Sequence, residues 1–276
     1  MSLMLKLLIV TLLLNSFAYA NTSEDVEEFI SEQLSKNPNL KSIDANVDSI
    51  VELEQLKGWK AYIVQIEAIL KAKPTNVIQQ KMIWFSDGNV ITKDLTDMQT
   101  GESLSEKVKP NFKAKYYTKA NLIYGNENAK HKIAIFSDPL CPFCKAYVPG
   151  VIKDMRKEPN KFAIYYFHFP LVRLHPASVA LVKAALVAEM KGVKDVILKL
   201  YKVKINPQEK NTKKILAAFN KAVGTKITLE ELRSKEVKKQ AKYDLDVAND
   251  IMVAGTPTIY LDNKIDRTKK KYKKVK

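Results

Sequence analysis

The sequence predicts a two-domain α+β protein, and three observations carry that reading. The first half alternates apolar and polar residues through short runs broken at Lys57-Gly58 and Asp87-Gly88, the pattern of antiparallel hairpins behind one leading helix. The second half opens with an apolar strand run that ends in "FSDPLCPFCKAY" (136–147), which holds both cysteines of the chain, Cys141 and Cys144. A block of helical periodicity between Pro176 and Asn249 then separates that unit from a last apolar strand, "TIYLD".

The 276 residues begin MSLMLKLLIVTLLLNSFAYA: one lysine, an apolar run from Leu7 to Leu14, then Ala18-Tyr19-Ala20. That is the layout of a signal peptide spanning 1–20, cut before Asn21, and it implies an exported, periplasmic protein. A retained anchor is the alternative, but the apolar core is shorter than the about 20 residues a spanning helix needs.

Ser23 is placed to cap a helix whose apolar positions are Val26, Phe29, Ile30 and Leu34. "NVDSIVELEQLKGWKAYIVQIEAIL" reads as two strands around Lys57-Gly58, and "KMIWFSDGNVITKDL" as a second hairpin with Asp87-Gly88 in its turn. Residues 21–100 thus form a helix-plus-antiparallel-sheet unit, too small to bury much surface alone, which suits self-association. The polar stretch "TGESLSEKVKPNF" is the boundary, giving a linker at 101–114 and a second domain at 115–276.

"KIAIF" (132–136) is a strand that Asp138-Pro139 ends. After Cys141, apolar residues recur at Phe143, Tyr147, Val151 and Met155, a helical stripe, with Pro142 in the first turn, where its missing N–H costs nothing. Cys141 therefore stands at a helix N-terminus, where free backbone N–H groups and the helix dipole favour a thiolate. Cys144 lies one turn on, as a buried resolving thiol. Pro149-Gly150 predicts a kink two turns into the helix.

Three uses of the cysteine pair compete. A structural clip closing so small a loop constrains the unfolded chain little, and the roughly 255 residues beyond Ala20 can bury an ordinary core without staples. A zinc site needs four ligands, and only His131 (at a strand start), His168 (inside "FAIYYFHFPL") and His175 are available, so no metal is expected. Redox exchange is the reading the pair supports best, with no cofactor beyond a redox-active Cys141–Cys144 disulfide.

"KFAIYYFHFPL" is a strand buried on both faces, so strand, CxxC helix and strand make a thioredoxin-like unit. That fold predicts a cis-proline loop before a later strand, and "VAGTPTIYLDNK" (253–264) supplies Thr256-Pro257 to hold a substrate chain beside the cysteines. A plain trans turn is the alternative there. Between them, "SVALVKAALVAEM", "VKDVILKLYKV", "TKKILAAFNKAV" and a helix from Thr228 form a helical insertion at about 174–250. Asp138 suits a strand-end turn better than a proton relay to Cys144. The formal charge of +16 is spread over helix faces apart from the tail "TKKKYKKVK", so a solvated surface is expected, with anionic lipid the lesser reading and no nucleic acid.

"FSDPLCPFCK" and "GTPTIYL" resemble the active-site and cis-proline segments of bacterial periplasmic thiol:disulfide interchange proteins of the DsbC/DsbG type. "QQKMIWFSDGNVITKDLTDMQTGESL" (79–104) is similar to the strands that end the amino-terminal domain of that family. The resemblance implies a homodimer joined through a cystatin-like dimerisation domain, with a thioredoxin fold on each arm. It implies catalysis by Cys141 and Cys144, tuning by Pro142 and Phe143, and substrate binding at Thr256 and Pro257. Clients are exported unfolded or misoxidised proteins, and the recycling partner is a DsbD-like membrane reductant or a DsbB-like oxidant. Phe143 departs from the tyrosine usual in that family and from the histidine of the DsbA type, so a moderate oxidant is expected. The implied dimer favours isomerase or reductase over oxidase, because joining two copies hinders docking to a membrane oxidant. A dimeric disulfide donor, a chaperone with a minor redox role, and a single-client reductase are the other readings.

Overall fold

The computed structural model describes residues 23–275. The signal-peptide reading of residues 1–20 lies outside them. Among the described residues no helix is long and apolar enough to cross a membrane. The chain divides into two compact units, one ending at Val108 and the other beginning at Lys109.

In the first unit, helix α1 (Ser23–Ser35) lies on an antiparallel sheet in the order β1-β2-β3-β4. The strands are β1 (Leu40–Glu52), β2 (Lys60–Leu70), β3 (Lys73–Ser86) and β4 (Ile91–Thr92). Val26 and Ile30, one helical turn apart, are buried against Ala45, Tyr62, Val64 and Trp84. A register shift in β1 follows Val47, and Glu27 of α1 accepts the Val47 N–H at 2.6 Å, tying helix to sheet. The Asp87-Gly88 turn forms as expected: Gly88 has φ +107°, open to glycine alone at little cost, and the Asp87 carboxylate accepts the N–H groups of Asn89 and Val90. β3 starts earlier than the sequence pattern indicates. Residues 73–80 are exposed, so no alternation marks them, yet Val77–Gln80 continue the register with β2 and, after a register shift, Lys73 pairs with Leu70.

Helix α2 (Ser105–Val108) closes this unit. Phe112, inside the stretch read as linker, is buried in the second unit, its ring among Tyr116, Tyr117, Phe136, Phe167 and Tyr260 and its N–H donated to the Asn263 carbonyl.

The second unit is a five-stranded sheet in the order β5-β7-β6-β8-β9. Its strands are β5 (Leu122–Tyr124), β6 (His131–Ser137), β7 (Phe162–His168), β8 (Thr258–Leu261) and β9 (Lys264–Ile265). β6 and β7 run parallel, and β8 is antiparallel to β6. Successive residues face opposite sides: Ile133, Ile135, Ile164, Tyr166 and Ile259 join one core, while Ala134, Phe136, Tyr165, Phe167 and Tyr260 join the other. Both faces are covered, which is why these strands read as unbroken apolar runs. Helices α3 (Pro142–Met155) and α4 (Ser178–Met190) cover the first face, and α7 (Lys235–Asp250) the second. Helices α5 (Val196–Leu200) and α6 (Thr212–Val223) complete the insertion before β8.

Three local features differ from expectation. The helix read from Thr228 is split: a 3₁₀ turn at Glu231–Arg233 precedes α7, and extended Ser234 caps α7 by accepting the Val237 N–H at 3.2 Å. The lysine-rich tail is anchored through Tyr272, which is buried and donates to Asp154 of α3 at 3.2 Å. Helix α3 runs unbroken past Pro149.

Candidate redox site

β6 ends at Ser137, and the turn Asp138-Pro139-Leu140 delivers Cys141 as the residue capping α3, with Pro142 in the first turn. The backbone of Cys141 is extended (φ −63°, ψ 123°), and its carbonyl accepts the Lys145 N–H at 3.0 Å, starting the helix. The turn is held by Asp138, whose carboxylate has no exposure. Its Oδ1 accepts the N–H groups of Leu140 (2.6 Å) and Cys141 (3.1 Å) and the hydroxyl of Ser178 (2.8 Å). Its Oδ2 accepts the Leu171 N–H at 2.6 Å and lies 3.2 Å from His175 Nδ1. The turn role weighed for Asp138 is what these contacts describe. They also fix the loop after β7 and the start of α4 to the cysteine turn, a link absent from the sequence pattern.

The two cysteines are free thiols with different surroundings. Cys141 keeps a small exposure, and its sulfur lies 3.7 Å from the Thr256 carbonyl oxygen. The Thr256–Pro257 bond is cis, and Thr258 Oγ1 donates back to the Gly255 carbonyl at 2.7 Å, closing that loop. The chain thus brings Cys141, Thr256 and Pro257 together although they are separated by more than a hundred residues.

Cys144 is fully buried one turn into α3. Burial pushes its thiol up to about 11, held back by the nearby hydroxyls of Ser137 and Thr256. The Thr256 hydroxyl is buried with no other partner. Behind Cys144, Ser137 Oγ lies 2.6 Å from the Tyr201 hydroxyl, which lies 2.8 Å from that of Tyr166. Burial also drives the Tyr166 and Tyr201 hydroxyls well above the usual phenol range, so both stay protonated.

Phe143, between the cysteines, is 75% exposed. Val172 and Leu174, in the loop after β7 that Asp138 holds, are also exposed. Ser137, Leu171, Ser178 and Tyr201 were not singled out from the sequence, and His175 was weighed there only as a metal ligand. Their partners lie 33 to 64 residues away, beyond any local motif. His131 Nδ1 lies 2.7 Å from Asp262, and His168 is buried with its Nε2 3.3 Å from Glu189.

Residues 117–276 match the family model described as Thioredoxin. A Bacillus cereus protein named "Probable disulfide bond formation protein D" is 27% identical over 172 residues, covering 58% of this chain and 77% of that one. Among solved structures, oxidised BdbD from Bacillus subtilis aligns with a TM-score of 0.46 and 20% identity, over 60% of this chain and 92% of that one. Proteus mirabilis ScsC in a compact conformation aligns with a TM-score of 0.45 and 22% identity, over 55% and 73% of the two chains. Through residues 117–276 the chain belongs to the thioredoxin family, and its chemistry is that of a thiol:disulfide oxidoreductase.

Proposed function

We propose that the protein exchanges disulfides with exported polypeptides in the periplasm, working first as an isomerase or reductase and as a homodimer joined through its N-terminal unit. The observation that carries the exchange reading is the pairing of Cys141 against the Thr256 carbonyl with a walled-in Cys144. Thr256 and Pro257 bind a client segment beside Cys141. The Cys141 thiolate attacks a client disulfide, forming a mixed disulfide and releasing a client thiolate. That thiolate then either attacks elsewhere in the client, which rearranges its disulfides, or is left reduced when Cys144 attacks the Cys141 sulfur and expels the client. The second route consumes the dithiol and requires a reductant. Because burial pushes the Cys144 thiol up to about 11, it stays protonated at neutral pH, and its escape step is slow. A long-lived mixed disulfide gives rearrangement time to occur.

The isomerase direction is supported by the separate N-terminal unit, whose exposed Ile50, Val77 and Ile78 suit a contact between copies. The opposite direction, disulfide donation, is favoured by the name of the Bacillus cereus relative. Trapping thiols in intact cells with a mass-tagging alkylator separates the two. A mostly reduced Cys141–Cys144 pair means a membrane reductant feeds it and isomerisation or reduction is its work. A mostly oxidised pair makes it a disulfide donor recycled by a membrane oxidant.

A further inference from the structure

A cavity of about 660 Å³ opens in the second unit between the start of α4, the start of α6 and the 3₁₀ turn before α7. Small-molecule sites usually occupy about 300–1,000 Å³. Pro176 on its wall follows His175, which meets Asp138, but neither cysteine lines it.

Two kinds of surface meet in this cavity. The first is cationic: Lys183 of α4, Lys210 and Lys213 at the start of α6, and Arg233 of the 3₁₀ turn. Among the described residues no aspartate or glutamate lines the cavity, and none of these four side chains has a carboxylate partner. Carboxylates close by in the sequence are engaged with other groups. Glu209 accepts the N–H groups of Lys210 at 3.0 Å and Asn211 at 2.8 Å, and lies 3.9 Å from Lys214. Glu231 bonds Lys191 and accepts the Thr228 N–H at 2.8 Å. A concavity lined by one sign of charge focuses its field, and a bound counter-ion relieves the repulsion among the lining groups. The second surface is apolar: Pro176, Val179 and Leu229 are half-buried and line the cavity together with the buried Ala180 and Leu232.

An inorganic anion would answer the four cations and leave the apolar wall wet. A neutral apolar molecule would cover the wall and leave the cations unmet. We propose that this cavity binds an anionic amphiphile, one acidic headgroup carried on an aliphatic chain. Lys183, Lys210, Lys213 and Arg233 take the headgroup, and the chain lies on Pro176, Val179 and Leu229. A free alkyl acid and an acidic phospholipid of a bilayer share this chemistry. The assignment is independent of the direction of disulfide exchange.

The test titrates the full chain, labelled with ¹⁵N, with octyl phosphate and separately with inorganic phosphate. Saturable octyl phosphate shifts are expected at the amides of residues 179–183 and 210–215, with inorganic phosphate at least about tenfold weaker. The double variant Lys183→Gln/Arg233→Gln, which removes two of the cations, is expected to weaken octyl phosphate binding about tenfold. Val179→Trp, which fills the apolar side, should do the same. Exchange with a small aromatic disulfide, measured in parallel, is expected at the wild-type rate in both variants. If Val179→Trp does not fold, the charge variant alone carries the test. Flotation with phosphatidylcholine vesicles, with and without phosphatidylglycerol, separates the two sources. Binding to the acidic vesicles that both variants lose assigns the site to a bilayer lipid, and vesicle binding absent or unchanged in the variants assigns it to a free amphiphile. No octyl phosphate binding, equal binding of inorganic phosphate, wild-type affinity in a folded variant, or tighter binding of a blocked leucine–glutamate tetrapeptide would each overturn the site. Failure of exchange with the small disulfide would instead remove the redox reading.

Discussion

The Asp138 carboxylate accepts the backbone N–H of Cys141 at 3.1 Å from a position with no solvent exposure. The same carboxylate gathers Leu140, Leu171, Ser178 and His175, so one side chain sets the redox turn, the loop after β7 and the start of α4. Asp138→Ala leaves several buried donors without an acceptor, at about 1–3 kcal/mol each before relaxation. The expected loss of stability is about 3–5 kcal/mol by urea unfolding, with slower client turnover in whatever folds. A loss under about 1 kcal/mol would show that Asp138 does not organise the site.

Phe143 is 75% exposed between the cysteines, and its ring has little structural work to do there. Phe143→Ala is expected to change stability by less than about 0.5 kcal/mol. It should slow exchange with an unfolded disulfide-containing protein several-fold, because an apolar contact beside Cys141 is lost, while a small disulfide reacts as before. Equal slowing of both substrates would place the effect on the thiols and not on client binding.

How much of this was readable in advance follows the range of the interactions. The cysteine turn, the first turn of α3 and the Thr256-Pro257 loop each announce themselves within a few residues, through proline, glycine and apolar spacing. The buried strands were readable because both faces of the sheet are covered and their central residues are apolar. Residues 73–80 of β3 were not, since a strand exposed on both faces carries no alternation. Phe112 looked like linker because a lone aromatic among polar residues has no period, and only the fold supplies its partners. The acceptor role of Asp138 and the Ser137–Tyr201 contact depend on residues brought in by the insertion, which no local pattern encodes.

The buried Asp244 carboxyl offers a pH test away from the cysteines. Burial raises it to about 6, opposed by the charge of His168 and by hydrogen bonds from Asn121 and Gln240. For His168, burial pulls the imidazole down, but the charges of Glu189 and Asp244 more than reverse this and leave it raised. A raised folded-state value means stability that is full below the unfolded value, 3.8 for Asp244, and is lost as pH rises through about 6. The His168 shift acts in the same sense, from 6.5 upward. Wild-type stability relative to Asp244→Asn should therefore fall between pH 4 and 6.5, by about 2–3 kcal/mol at most. A pH-independent difference between the two would mean that Asp244 ionises as it does in water.

Cys144 allows the same reasoning on the alkaline side. Its folded value of about 11 lies above the unfolded 9.0, so the folded chain keeps a proton that the unfolded chain gives up. The contribution is full below pH 9 and is lost as pH rises through 11. Cys141→Ala, compared with Cys141→Ala/Cys144→Ala, should lose about 2–3 kcal/mol of relative stability across that window. In Cys141→Ala, which removes the small raising effect of the Cys141 charge and leaves burial as the main cause, alkylation of Cys144 should rise with a midpoint still well above 9. A midpoint near 9 would mean that water reaches this sulfur.

Ser137 and Tyr201 decide how far that value is held down. The Ser137 hydroxyl lowers the Cys144 value and lies 2.6 Å from the Tyr201 hydroxyl, which in turn meets Tyr166 at 2.8 Å. Ser137→Ala removes the member of the chain nearest the sulfur while Tyr201 keeps Tyr166. The stability cost should be modest, about 1 kcal/mol, because one buried hydrogen bond is lost without emptying the chain. The chemical effect should be larger. Without Ser137 the Cys144 thiolate loses a stabilising neighbour, so its alkylation midpoint should move above that of Cys141→Ala alone, and the mixed disulfide with a client should persist longer. Thr256→Val, which removes the other hydroxyl near the sulfur, should shift the midpoint in the same direction. An unchanged midpoint in Ser137→Ala, with normal stability, would show that the Ser137–Tyr201–Tyr166 hydroxyls pack the interior without tuning the buried thiol.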